Sequence, residues 1–255
     1  MLRSLKELYN YVLSAEDGDI GRCKDFLFDD RFWTIRYMVA DTAKWLPGKK
    51  VLISPISLAS PDWRSRRLPV KLTKDRIKGA PELDEDAPVS RQHEIRWTKY
   101  YGWPFYWQGP GAWGYVDYPY SMYVQRQVQE NVQHREEETE KHERDQHLRS
   151  AREVTGYHIQ AVDTDIGHVE DFILDDETWT IRYMVVDTRN FLPGRNVLIT
   201  PDWIESVDWA LSEVSVDVPA EAVKNSPPYD PKIPVNREYE VRLYDYYGRP
   251  VYWRE

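Results

Sequence analysis

At 255 residues, 41% hydrophobic and 14% aromatic with 11 Trp and 18 Tyr, the chain has the composition of compact β-rich domains, and disorder is excluded. The net charge of −9 disfavours nucleic acid as a partner, because phosphate contacts from Lys and Arg dominate that affinity. A single cysteine, Cys23, excludes an intramolecular disulfide and fits a reducing cytoplasm.

The opening stretch MLRSLKELYNYVLSAEDGD scatters apolar residues among charges, which argues against a signal peptide. No window approaches the roughly 18 apolar residues of a membrane span. Next comes DFLFDDRFWTIRYMVADT, residues 25–42, which predicts two strands around a polar Asp29-Asp30 turn. Trp33, Ile35, Tyr37 and Val39 share one face at period two and are expected to point inward, with Thr34, Arg36 and Met38 on the other. Leu46-Pro47-Gly48 suits a type II turn, Val51-Leu52-Ile53 begins another strand, and Leu68 to Leu72 alternates as a further one. A helix is predicted over 90–101, with Ser90 as N-cap and Gly102 in the left-handed position after it. His93 falls on its packing face and reads as a structural histidine.

From 108 to 148 the chain reads as linker. Its first part, QGPGAWGYVDYPYSMY, holds rings that would adhere to a domain surface; the remainder, rich in Gln, Glu and Arg, reads as a solvated helix or a disordered tether. His134, His142 and His147 lie in it at spacings of eight and five and read as solvated.

Residues 171–188, DFILDDETWTIRYMVVDT, then repeat residues 25–42 at 13 of 18 positions with an offset of 146. The same offset links Arg3-Ser4 to Arg149-Ser150, Asp19-Ile20-Gly21 to Asp165-Ile166-Gly167, Trp63 to Trp209, and Tyr106-Trp107 to Tyr252-Trp253. The domain reading is therefore residues 1–107, a linker at 108–148, and residues 149–255. Short, closely spaced strands predict a mainly β chain of two small antiparallel barrels. Each is followed by a helix, the second at 236–247 behind an Asn236 cap.

Little in the sequence carries chemistry. There is no nucleophile elbow, no zinc-protease helix and no Walker-type loop; Asp29-Asp30 and Asp175-Asp176 read as turns, not acid–base pairs. Cys23 aligns with Val169, so it reads as a small core residue, and His158 and His168 align with Val12 and Arg22, so the repeat requires neither. No catalytic residue, metal or cofactor is expected. Divergence between the copies is more informative. The net charge is +4 over 1–107 (19 basic, 15 acidic), −4 over 108–148 (4 and 8) and −9 over 149–255 (11 and 20). DWRSRRL at 62–68 stands against DWALSEV at 208–214, so Arg64, Arg66 and Arg67 are interaction candidates, together with Trp113, Tyr115, Tyr118 and Tyr120 of the linker.

The Asp-Ile-Gly segment, the 25–42 hairpin, the Leu-Pro-Gly turn with KVLISP, and the PVNREYEVRLYDYYG tail resemble the PRC-barrel family. That family takes its name from the cytoplasmic domain of the photosynthetic reaction centre H subunit, and a related barrel closes the ribosome maturation factor. The resemblance implies small β-barrels acting through protein contacts, and a tandem copy resembles a homodimer fused into one chain. No functional residue of either relative is matched. The expectation is a non-enzymatic, cytoplasmic interaction or scaffold protein with a protein partner and no nucleic acid. Peripheral membrane association and further oligomerisation stay open. The competing readings are a small-molecule binder or enzyme using a cleft between the barrels, lined by Trp45, Trp97 and Trp103, and an RNA- or ribosome-associated protein, which the net charge weakens.

Overall fold

The computed structural model describes residues 1–42, 46–47, 49–84, 87–119, 147–188 and 195–253. The chain is mainly β. The first repeat forms β1 (Leu2–Ser4), α1 (Leu5–Leu8), β2 (Val12–Ala15), β3 (Gly18–Asp29), β4 (Thr34–Asp41), β5 (Val51–Ile53), β6 (Arg67–Pro69), α2 (Lys74–Lys78) and α3 (Arg91–Tyr101). The second forms β7 (Leu148–Ser150), α4 (Ala151–Val154), β8 (His158–Gln160), β9 (Asp165–Asp175), β10 (Thr180–Asp187), β11 (Asn196–Ile199), β12 (Ile204–Asp208), β13 (Glu213–Val216), α5 (Ala220–Asn225) and α6 (Arg237–Tyr247).

These elements group into two compact units that are cut differently from the repeats. The first unit holds Leu8–Ser150 with Glu177–Thr180; the second holds Met1–Glu7, Ala151–Asp176 and Ile181–Glu255. Thus the opening strand of the second repeat, β7, pairs antiparallel with β3 in the first unit, through Leu27↔Ser150, Phe28↔Arg149 and Asp29↔Leu148. In the second unit β1 takes the matching place on β9, through Leu2↔Asp175, Arg3↔Leu174 and Ser4↔Ile173. A serine anchors each of these strands: Ser150 Oγ donates to Asp25 Oδ2 at 2.5 Å, and Ser4 Oγ to Asp171 Oδ2 at 2.5 Å.

Within the first unit the strands run β6-β2-β3-β4-β5, and within the second β12-β13-β8-β9-β10-β11. Two expectations are corrected here. The sheets are mixed and not antiparallel throughout, because β6 lies parallel to β2 and β13 parallel to β8. Nor do the described strands of the first unit close into a barrel. After β5 the chain enters a 3-10 turn at Pro55–Ser57, and only isolated bridges, Leu58↔Val70 and Asp62↔Arg67, lead on toward β6 in place of a continuous ladder.

The Asp29 turn forms as the sequence suggests, with Asp29 Oδ1 accepting from the amides of Phe32 at 2.7 Å and Arg31 at 3.2 Å. Trp33, Ile35, Tyr37 and Val39 are all buried. Trp33 is not in the strand, however: it has φ of +50°, matched by +58° at Trp179, and its ring stacks on Phe28 at 5.1 Å. Thr34, Arg36 and Met38 are buried too, so β4 is covered on both faces. Helix α3 covers one, where Trp97 meets Tyr37 at 5.1 Å; the rings of Tyr106 and Trp113 cover the other, over Arg36.

The helix ends follow their caps. Ser90 Oγ accepts from the His93 amide at 3.2 Å and Gly102 has φ of +69°; Asn236 Oδ1 accepts from Tyr239 at 2.9 Å and Gly248 has φ of +62°. Ser90→Ala is expected to lower the stability of the first unit by about 1 kcal/mol, the usual cost of a lost N-cap, as read from a urea midpoint. Gly48, Leu192, Pro193 and Gly194 of the expected turns lie outside the described residues.

Candidate interaction surface

The most concentrated set of ionisable groups is buried and structural. Glu94 of α3 accepts from Tyr37 Oη at 2.9 Å and Tyr106 Oη at 2.7 Å, while its second oxygen lies 3.0 Å from Arg91 Nη1 and 3.1 Å from His147 Nε2. Burial alone would raise this carboxyl, but the bonds from His147, Arg91 and Tyr106 bring it below the ordinary glutamate value. Burial pushes the phenols of Tyr37 and Tyr106 well up, so both stay neutral donors. The second unit builds the same clamp at the offset of 146: Glu240 accepts from Tyr183 and Tyr252, each at 2.8 Å, and pairs with Arg237 at 3.0 Å. A cluster present in both copies, each time tying helix to strand, is a fold device. His147, read from the sequence as solvated, is instead buried in the first of them, because residues 147–150 run along β3.

Arg36 adds a second buried layer in the first unit. Its Nε lies 2.5 Å from Asp29 Oδ2, and its guanidinium stands 4.0 Å from the Tyr106 ring and 4.8 Å from the Trp113 ring. Among the described residues its two terminal nitrogens have no hydrogen-bond partner, so the ring faces supply part of the stabilisation that water would otherwise give. Trp113 is therefore not a surface ring. It is buried, and its Nε1 donates to the Thr178 carbonyl of the same unit at 2.7 Å. Gly111 and Gly114 bridge to each other beside it; a Cβ at Gly114, where φ is +73°, would lie 2.8 Å from the Gln108 carbonyl oxygen. This anchored turn leaves Tyr115 79% exposed and Tyr118 45% exposed. Tyr120 lies outside the described residues.

The basic cluster sits on another turn of the same unit. Asp62 gathers it by accepting from the amides of Arg64 at 3.0 Å and Ser65 at 3.1 Å, as Asp208 does for Ala210 and Leu211. Arg64 is exposed, whereas Arg66 has φ of +53° and lays its guanidinium 5.5 Å from the Tyr11 ring. Arg67 bonds to Ser14 Oγ at 3.0 Å and to Asp19, whose carboxyl it holds below the ordinary value. Of the three, Arg64 and Arg66 face solvent most fully.

A pocket of about 220 Å³ also opens in the first unit, lined by Lys24, Asp25, Asp41, Thr42, Lys49 and Lys50 among others. Trp97 and Trp103, expected to line a cleft, are core residues 5.6 Å apart, and Trp45 lies outside the described residues. Among the described residues, one group has donor atoms close enough to hold a metal: His168, Glu170 and Asp187 of the second unit.

The repeated Asp-Ile-Gly segment explains how β9 packs so closely there. Gly167 has φ of +137°, and a Cβ on it would lie 2.0 Å from the Asp187 carbonyl oxygen; Gly21 stands in the same relation to Asp41, at 1.9 Å. Only glycine fits such an approach. Residues 147–223 match the PRC-barrel domain family. The PRC-barrel match runs from β7 to α5, taking in this glycine and the β9–β10 hairpin, and ends before α6; residues 1–107 lie outside it. No curated protein matches the chain. No described helix is long and apolar enough to cross a membrane.

Proposed function

We propose that the chain is a non-enzymatic interaction protein, a fused pseudo-dimer of two PRC-type units that binds a protein partner through the turn carrying Tyr115 and Tyr118. The observation behind this reading is the contrast within one short turn. Trp113 is buried and hydrogen-bonded, while the ring two residues later is almost fully exposed. A tyrosine held out from a fixed base brings large contact area at low ordering cost, the usual character of an interface anchor. The crossing of β1 and β7 into the other repeat's unit supports the pseudo-dimer, because exchange of an identical element is a common way for two copies to become one assembly. Arg64 and Arg66 would orient an acidic partner, each exposed pair contributing less than about 1 kcal/mol.

A small-molecule reading rests on the lysine-lined pocket, but its 220 Å³ falls below the roughly 300–1,000 Å³ of ordinary ligand sites. The test is a photo-crosslinking amino acid placed at 115, at 118 and at the exposed Leu211 of the second unit. Discrete adducts with a partner protein are expected from 115 and 118 and not from 211. Adducts at none of the positions, or the same adducts at all three, would remove the turn as the binding surface.

A further inference from the structure

We infer that the second unit carries a binding site for a divalent cation of the zinc class, built from His168, Glu170 and Asp187, with His158 as a fourth ligand. His168 and Glu170 are two apart on β9 and so share a face of the sheet. Asp187 closes β10 beside them. His168 Nε2 lies 3.8 Å from Asp187 Oδ2 and 4.0 Å from Glu170 Oε2, and all three donor atoms fall within 4.8 Å of one another. Metal–ligand bonds of about 2.0–2.2 Å place tetrahedral donors roughly 3.3–3.5 Å apart. The side chains must therefore draw in by up to about 1.5 Å, which rotation of the partly exposed His168 and Glu170 allows.

Three further features favour a cation here. Asp187 is only 3% exposed, and a positive charge beside a buried carboxylate stabilises it. His158 on β8 pairs directly with His168 across the ladder, so both imidazoles stand on one face; its Nδ1 lies 3.4 Å from Asp165 Oδ2, which favours the tautomer that leaves Nε2 free to ligate. Lys6 Nζ, also in the second unit, lies 2.5 Å from Glu170 Oε1, steadying that carboxylate while its other oxygen turns toward His168.

Divergence between the repeats falls on these same positions. The first repeat has Val12, Arg22, Lys24 and Asp41 where the second has His158, His168, Glu170 and Asp187. The aspartate is kept, and three ligand-type side chains stand where the first repeat has a valine and two covalently held cations. The two histidines look dispensable because the repeat does not require them, yet that departure is what marks the site. An imidazole–carboxylate set suits zinc far better than magnesium. The competing account is a metal-free cluster in which His168 links the two carboxylates.

The experiment is zinc titration of the full chain after chelator dialysis, at a pH above the ordinary histidine value, by calorimetry and thermal shift. One equivalent should bind and raise the melting temperature of the second unit, with magnesium giving no comparable shift. His168→Ala, and separately the milder Glu170→Gln, should weaken zinc at least tenfold, the scale expected when part of a metal's ligand shell is lost. Arg22→Ala in the first unit should leave binding unchanged. Absence of zinc binding by the parent chain, or equal affinity in folded His168→Ala and Glu170→Gln, would reduce the cluster to an ion pair and overturn the proposal.

Discussion

Asp29→Ala is expected to lower the stability of the first unit by about 3–5 kcal/mol, whereas Asp175→Ala at the matching position should cost the second unit about 1 kcal/mol or less. The two carboxylates occupy equivalent turns and face equivalent arginines, and the largest difference between the pairs is burial. Arg36 is fully enclosed and lies 2.5 Å from Asp29; Arg182 keeps 23% of its side chain exposed, at 3.4 Å from Asp175. Without Asp29 the Arg36 cation has no anion and no water. Without Asp175, solvent solvates Arg182, which still rests 4.3 Å over the Tyr252 ring. Because Asp29 also holds the turn amides, Asp29→Asn separates the two roles: it keeps an acceptor for Phe32 but sets an uncharged amide donor against Arg36. Adding Arg36→Met to Asp29→Asn should then recover most of the loss, since an apolar side chain of similar length no longer needs a counter-charge. Urea unfolding read by amide exchange in β3 and β4, and separately in β9 and β10, gives both values. Equal costs in the two units would mean that the rings over Arg36 carry the burden, with Asp29 contributing little.

These features were unequally legible in the sequence. Helices α3 and α6 could be placed because Ser90, Asn236, Gly102 and Gly248 act locally, within one turn of the atoms that they satisfy, whereas the short helices α1, α2, α4 and α5 were not foreseen. The hairpin was legible for the same reason. Burial of both faces of β4 was not, because the rings over Arg36 come from residues 106 and 113, and an arginine in an alternating strand ordinarily marks the solvent face. The crossing of β1 and β7 left no trace, since an offset of 146 is the same whichever sheet the Leu-Arg-Ser strand joins. Trp113 and Tyr115 looked alike in a run of aromatics; only the Thr178 carbonyl, 65 residues away, tells the anchor from the exposed ring. The ligand set of the second unit depends on the register between β8 and β9, which places His158 opposite His168, and alternation alone does not supply register.

Acid should unfold the first unit through Glu94. This carboxyl is buried, which by itself would favour protonation, yet the bonds from His147 and Arg91 hold it below the ordinary value, so the folded unit takes up its proton at lower pH than the unfolded chain. A depressed carboxylate contributes stability above the unfolded value of about 4.3 and loses it as pH falls through the folded value. His93 acts with the same sign but earlier. Burial, aided by Arg96, lowers its value, so its contribution begins to fade below about pH 6.5. Glu94→Gln should therefore cost about 3–5 kcal/mol at neutral pH, the range for breaking a buried ion pair, because the amide presents donors to Arg91 and His147. It should also flatten the decline between about pH 5 and 3 while leaving the shallower His93 slope in place. Urea midpoints of the parent and variant across that range decide the matter. Parallel curves would mean that protonation elsewhere drives acid unfolding and that the clamp acts by shape alone. A flattened curve would show that the charge on Glu94 ties α3 to β4, holding in place the Tyr106 ring under which Arg36 is buried.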